Sequence, residues 1–392
     1  MQEAISQNHD DRTLRWYSRR EPTILLVLST LAVVSIVAVS GLAKAYKRQQ
    51  QALGAEWFSR AVADQSSGHL ERAVGEFEAA QIYARGNFDY QLSLAQTLAA
   101  LGRTDEAYSY LLNLREQHPD NGTVNLELAR IVAKRDETDA AIRYYHDAIY
   151  AVWDRDSENQ RRAVRLELVE FLLAKNARTQ AESELIALEG TLPADEALRV
   201  RVGNLFARTQ DYEHALAEYR EALKLGHHDP AALAGAGRAA FQLGQYNLAQ
   251  HYLEVAVASN HGDSESAELL KTTQLVLQMD PFRHHISSAQ RNRTVIAAFN
   301  TAGDRLKACN LTTAASALGT ASTTQPPSLA DRYQALKPKV TELGLRRDPD
   351  LVEQAMDLVF AIEQQASTQC GAPEGADLAL LLISKLHESN ER

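Results

Sequence analysis

Six polar side chains recur in pairs four residues apart: Arg130 with Lys134, Asn204 with Arg208, and Arg238 with Gln242. On a helix that spacing sets both members of a pair on one face, where cations and amides can donate to a carboxylate or to peptide carbonyls. The same spacing serves equally well in a solvated basic face. Cys309 and Cys370 are the only thiols. In an oxidising compartment they can close a loop of about 60 residues, a constraint worth roughly 4 kcal/mol; in a reducing one they stay two buried thiols. His227 with His228 and His284 with His285 are adjacent pairs, and adjacent side chains diverge by about 100° on a helix, which favours surface positions over a metal site. No C-x-x-C, G-x-x-x-x-G-K-[ST], G-x-S-x-G or H-E-x-x-H occurs, so neither metal, cofactor nor catalysis is expected. The alternative is an enzyme or ligand-binding module within residues 280–392, assembled from groups distant in sequence.

Elements that could position the polar pairs emerge from a 34-residue period. Ala73, Ala107 and Ala141 fall in one column and Ala61, Ala95 and Ala129 in a second. After a six-residue offset the first column continues with Ala181, Ala215 and Ala249, and the second with Val169, Gly203 and Gly237. Six repeats result, starting at residues 54, 88, 122, 162, 196 and 230 and ending near 263. Two antiparallel helices that cross closely admit only small side chains at the crossing, which explains both columns. Phe77, Leu111, Tyr145, Leu185, Tyr219 and Leu253 stand four residues after the first column, on the same helical face, and belong to the core. Gly68, Gly102, Asn176 and Gly244 suit left-handed turns between paired helices, and Pro119, Pro193 and Pro230 punctuate the junctions between repeats. The insertion 153–161 breaks the period and is expected to form a bend or loop.

Ahead of the repeats, the run 23–43, from Thr23 to Ala43, holds no charge and is dominated by Leu, Val and Ile. Its length corresponds to about 30 Å of helix, enough to cross a bilayer. Arg12, Arg15, Arg19 and Arg20 precede it and Lys44, Lys47 and Arg48 follow. The short tail 1–22 with four arginines favours a signal-anchor topology that exports the C-terminal part, with the cytoplasmic orientation as the alternative. Cleavage after Ala43-Lys44-Ala45 is disfavoured by the length of the apolar run. The net charge of −10 gives no overall basic field, which argues against general nucleic-acid binding.

The small, large, small and Pro positions at 34-residue spacing, seen most clearly over 89–119 and 202–230, resemble the tetratricopeptide-repeat (TPR) family over residues 54 to about 263. The fold expected from that resemblance is all-α: a right-handed α-solenoid of TPR helix pairs, preceded by one transmembrane helix and followed by a small C-terminal helical bundle. Trp57 matches the family's fourth position only in the first repeat. The resemblance implies that the first helix of each repeat lines a concave groove that takes a protein or peptide partner. Arg130, Lys134, Asn204, Arg208, Arg238 and Gln242 would then face that groove and hold an acidic or C-terminal peptide segment. Family members that grip a C-terminal carboxylate use Lys, Arg and Asn there, and this set is similar without matching residue for residue.

Beyond Asp263 the period fades. A capping helix is expected over 264–279, then a bundle of helices at 286–308, 329–343, 351–367 and 377–387, interrupted by a Thr/Ser/Pro-rich segment, 312–328. Asp348 as N-cap with Pro349 in the first helical position should start the third of these. The oligomeric state and partner are not encoded in any motif.

Overall fold

The computed structural model describes residues 10–153, 155–309, 311 and 327–390. Every regular element among them is helical: α1 (Asp10–Ser66), α2 (Leu70–Tyr83), α3 (Phe88–Ala100), α4 (Thr104–Gln117), α5 (Gly122–Lys134), α6 (Thr138–Tyr150), α7 (Ser157–Ala174), α8 (Arg178–Glu189), α9 (Glu196–Thr209), α10 (Tyr212–Leu225), α11 (Pro230–Gln242), α12 (Tyr246–Ser259), α13 (Ser264–Met279), α14 (Ser288–Ala308), α15 (Leu329–Leu336), α16 (Glu342–Arg347), α17 (Asp350–Gln369) and α18 (Gly375–Asn390). The chain divides into an N-terminal unit, Met1–Leu168, and a C-terminal unit, Val169–Arg392.

In the N-terminal unit the last turns of α1 pair with α2, α3 with α4, and α5 with α6. The alanine columns sit at the crossings: Ala61, Ala73, Ala95, Ala107, Ala129 and Ala141 have no exposed surface. Phe77, Leu111, Leu94 and Leu128 fill the space that those small residues leave, each fully buried. Every such side chain contributes about 1.5–3 kcal/mol by leaving water. Asn87 and Asn121 start α3 and α5 by accepting from the N–H groups of Tyr90 (3.2 Å) and Val124 (3.0 Å), which satisfies helix-end donors that would otherwise lack partners. Left-handed residues close the paired helices at Gly68, Gly102 and Asp136; the last is a position where no Gly or Asn marks the turn. The insertion 153–161 is not a loop throughout: residues 157–161 form the first turns of α7, and the chain ahead of them is tied back to the repeat. Val152 bridges to Asn121, Gly122 N–H donates to its carbonyl (3.1 Å), and Trp153 Nε1 donates to Ala148 O (3.0 Å). The Trp153 ring covers Gly122 so closely that a Cβ there would collide with it.

The C-terminal unit repeats the same pairing in α9 with α10 and α11 with α12. Asp195, Asp211 and Asp229 cap α9, α10 and α11, and Pro230 stands at the start of α11, where a proline needs no N–H partner. Tyr219 lies between two repeats: a Cβ on Gly203 would come within 2.8 Å of its ring and one on Gly235 within 2.5 Å. Close packing therefore accounts for these glycines. Left-handed turns fall at Asn176, Gln210 and Gly244.

The region after the repeats departs from the sequence expectation in three places. First, α13 covers α12 at the expected bounds but is itself covered, because α18 lies along it and α14 touches it, which makes it an inner wall. Val276 of α13 and Tyr246 of α12 share one core with Val295, Phe299, Leu358, Ile362 and Leu380. Second, the expected helix 329–343 is broken into α15 and α16. Pro338 cannot donate an N–H and restricts Lys337 before it, and Thr341 restarts the chain by accepting from Gly344 N–H (3.1 Å). Third, α17 begins one residue late: Pro349 occupies the cap position, and Asp348 accepts from Asp350 N–H (3.2 Å). Residues 1–9 of the tail and 312–326 of the Thr/Ser/Pro-rich segment lie outside the described residues.

Candidate functional site

The first-helix face of the N-terminal unit is knit together by its own charges. Arg130 on α5 reaches both oxygens of Glu167 on α7 (2.8 Å each) and Glu127 one turn away (3.2 Å), and Tyr145 Oη donates to Glu167 (3.0 Å). Burial works to raise the Glu167 carboxyl, and the Arg130 hydrogen bonds outweigh it, leaving Glu167 below the usual carboxylate range. The Glu167 hydrogen bonds raise Arg130. Gln96 on α3 donates to Glu127 (3.1 Å), extending the network to a third helix. Lys134 is exposed at the last turn of α5. The pair Arg130 and Lys134 thus shares a face, with Arg130 already matched by two carboxylates.

The equivalent face of the C-terminal unit is open. A cleft of about 420 Å³ is lined by Tyr212, Tyr219, Arg238, Gln242, Glu265 and Glu268, with Gly235 and Ala239 among its wall residues. Arg238 pairs with Glu265 at 3.5 Å, a long contact to a carboxylate whose side chain is 75% exposed. Tyr219 Oη donates to Asn204 Oδ1 (2.8 Å), which orients the Asn204 amide so that its NH₂ is left to donate elsewhere. Burial pushes the Tyr219 phenol up to about 12, so it stays a neutral donor. Arg208 is exposed on α9, next to Ala207, which also lines the cleft. Arg238, Gln242 and, through Tyr219, Asn204 are therefore gathered at one place. Tyr212, Glu265 and Glu268 were not foreseen: the two glutamates come from α13, which continues the series of groove-lining helices although the period has faded.

A second cleft of about 620 Å³ opens among α12, α13, α18 and the segment before α14, lined in part by Asn247, Asp280, Arg283, His284, His285 and His387. Phe282 stacks on His387 with ring centroids 4.7 Å apart. Asp280 accepts from Phe282 N–H (2.8 Å), and burial raises its carboxyl. His284 and His285 are exposed at this cleft, whereas His227 and His228 are exposed in the turn between α10 and α11. Among the described residues no group of three or more His, Cys, Asp or Glu has the arrangement to hold a metal ion.

Cys309 and Cys370, the residues that end α14 and α17, are bridged as a disulfide with Cα atoms 5.8 Å apart. One turn before them, Arg305 pairs with Asp377 of α18 at 3.7 Å and donates to Gly371 O (3.3 Å). Close by, Glu363 is fully buried with neither carboxylate oxygen hydrogen-bonded. Burial pushes it up to about 8, helped by Asp377 and opposed by Arg305.

At the other end of the chain, α1 carries an apolar stretch of mean hydropathy 2.5 that is entirely exposed and long enough to cross a membrane. It runs without a break into the first repeat helix.

The tetratricopeptide-repeat family profile matches residues 88–131. No curated protein matches the chain. Among solved structures it is similar to Pseudomonas aeruginosa pilF, with 14% identity over 56% of this chain and 97% of that one and a TM-score of 0.40. It is also similar to the C-terminal part of a TPR repeat-containing protein from Cytophaga hutchinsonii, at 15% identity over 64% and 92% with a TM-score of 0.42. A third is YrrB, described as a TPR protein with an unusual peptide-binding site, at 17% identity over 45% and 88% with a TM-score of 0.34. Residues 88–131 are thus a tetratricopeptide repeat, flanked by helix pairs built on the same buried alanine and glycine crossings.

Proposed function

We propose that this protein is a membrane-anchored scaffold without catalytic activity, which holds a partner protein by an acidic or C-terminal peptide segment and supports assembly of an envelope complex. The observation that carries the reading is the open cleft around Arg238, Gln242 and Tyr219 on the first-helix face. Arg238 offers a charge only loosely answered by Glu265, and Gln242 and Asn204 offer amide donors for peptide carbonyls. Arg208 adds a second exposed cation on the preceding repeat. Glu265 and Glu268 give the opposite wall a negative charge, which selects the direction in which a peptide lies. Arg130 and Lys134 occupy the first-helix face of their own unit, where Arg130 is engaged by Glu127 and Glu167.

Selection of peptides from a random library on the full-length protein in detergent tests this reading. Enriched peptides should lose at least about ten-fold in affinity on Arg238→Ala, equivalent to about 1.4 kcal/mol. Peptides indifferent to Arg238, Gln242 and Asn204 would place binding elsewhere.

The exposed apolar run 23–43 and its basic flanks support the anchor, and the Cys309–Cys370 bridge supports export of the C-terminal part. Protease digestion from outside intact spheroplasts, with a thiol-dependent gel shift, is the expected result. Protection with free thiols would reverse the topology. A second reading, a small-molecule site in the C-terminal region, is favoured by the 620 Å³ cleft beside His387 and Asp280; chemical shifts of the histidine rings that stay unchanged across a fragment library would dismiss it.

A further inference from the structure

We infer that one edge of the N-terminal unit, built from the turns that link successive repeats, rests on the bilayer surface beside the anchor helix; this rests on the anchor reading above. Helix α1 is unbroken from Ile24 to Ser66, so the direction of the apolar run is also that of the first repeat helix. In an antiparallel stack the even-numbered helices then run back toward the membrane. Their C-terminal ends, and the turns after them, face it.

Contacts along this edge are continuous. Tyr83, the last residue of α2, lies beside Gly54, where a Cβ would stand 3.4 Å from the Tyr83 Cβ and from the Tyr90 ring. Phe88 and His118 meet ring to ring at 4.9 Å. Val152 N–H donates to Asp120 O (2.9 Å) and the Val152 carbonyl accepts from Gly122 N–H (3.1 Å), tying the last two turns together. The opposite edge carries the turns at Gly68, Gly102 and Asp136.

Exposed apolar side chains follow this division. Among the described residues of the N-terminal unit beyond α1, the large hydrophobic side chains left exposed are Ile82 (68%), Tyr150 (73%) and Val152 (62%), and all three lie on the edge that faces the membrane. Exposed Arg85 and half-buried Trp153 accompany them. Aromatic, aliphatic and arginine side chains are what the headgroup boundary of a bilayer accepts.

The distances permit contact. Gly54 lies eleven helical steps beyond Ala43, or about 16 Å of helix. A tilt of about 20° toward the stack lowers an element some 20 Å to the side by about 7 Å. The turns project a few residues further down, into a headgroup layer roughly 6 Å deep.

The test uses full-length protein carrying Trp16→Phe and Trp57→Phe, which leaves Trp153 as the sole tryptophan, inserted into phosphatidylcholine and phosphatidylglycerol liposomes with nitroxide-labelled headgroups. The expected result is co-flotation with the vesicles and a roughly two-fold loss of Trp153 fluorescence relative to unlabelled lipid, relieved by the triple change Ile82→Asp, Tyr150→Asp and Val152→Asp without loss of flotation. Co-flotation with an unquenched Trp153 would overturn the inference and leave the anchor standing, with the edge free for a protein instead. Failure to float would remove the anchor reading and this one with it. No other protein is present to shield the edge.

Discussion

The first-helix faces of the two units are built from the same residue types and end in opposite states. In the N-terminal unit Arg130 makes three hydrogen bonds to the carboxylates of Glu127 and Glu167, with Tyr145 and Gln96 completing the network. In the C-terminal unit Arg238 has one long contact, and an unfilled cleft lies beside it. Satisfied polar networks rigidify a surface, whereas unsatisfied donors beside a concavity are available to a ligand. The contrast extends inward. Buried Asn125 of the N-terminal unit accepts from Arg115 (2.9 Å) and donates to Pro119 O and Asn121 O, while neither carboxylate oxygen of buried Glu363 in the C-terminal unit is hydrogen-bonded.

The largest expected effect that sharpens this comparison is removal of the disulfide. Cys309→Ser with Cys370→Ser frees a loop whose ends are 61 residues apart, and should cost about 4 kcal/mol on loop-closure entropy. The loss should appear in denaturant unfolding of the C-terminal unit and leave the transition of the N-terminal unit in place. A single shared shift would mean that the two regions do not differ in this way.

Next comes pH. Below the ordinary carboxylate range Glu363 is protonated whether the chain is folded or not. As pH rises toward about 8, the unfolded chain ionises while the folded one keeps its proton. Stability therefore falls through that window, by at most about 1.4 kcal/mol per pH unit, and levels off above it. Asp377 and Arg305 are the charged groups that face this carboxyl. Glu363→Gln should flatten the pH dependence of thermal unfolding and raise the melting temperature at pH 8. An unchanged profile would show that Glu363 is ionised and solvated.

The smallest effects separate the two arginines. Arg130→Ala leaves two carboxylates facing each other and should cost about 1 kcal/mol in stability, after allowing for partial exposure. Arg238→Ala should change stability by less than about 0.5 kcal/mol and weaken peptide binding instead. Urea unfolding of the two variants, read beside their peptide affinities, measures both. Equal stability losses would erase the distinction between a closed and an open face.

The repeats were legible because close helix crossings tolerate only small residues, so Ala73, Ala107 and their successors register the geometry directly in sequence. Turns marked by Gly or Asn were legible for the same reason; Asp136 and Gln210 adopt the left-handed conformation without that mark. The break at Pro338 was present in the sequence and outweighed by the apolar pattern around it. Arg130 and Glu167 stand 37 residues apart across the insertion, so their pairing depends on the connection between α6 and α7, which periodicity does not encode. Glu265 and Glu268 escaped because α13 follows the last clear repeat, and the inner position of that helix depends on α18, more than a hundred residues later.

The cleft at Arg238 and Gln242 should hold a partner while the chain is anchored in a membrane. Photo-crosslinking in native membranes tests it most directly, with a benzoylphenylalanine placed at Gln242 in one variant and at Lys134 in another. A discrete protein adduct should form from position 242 and disappear with Arg238→Ala, and none should form from position 134. Equal adducts at both positions, or an adduct at 242 that survives Arg238→Ala, would contradict it.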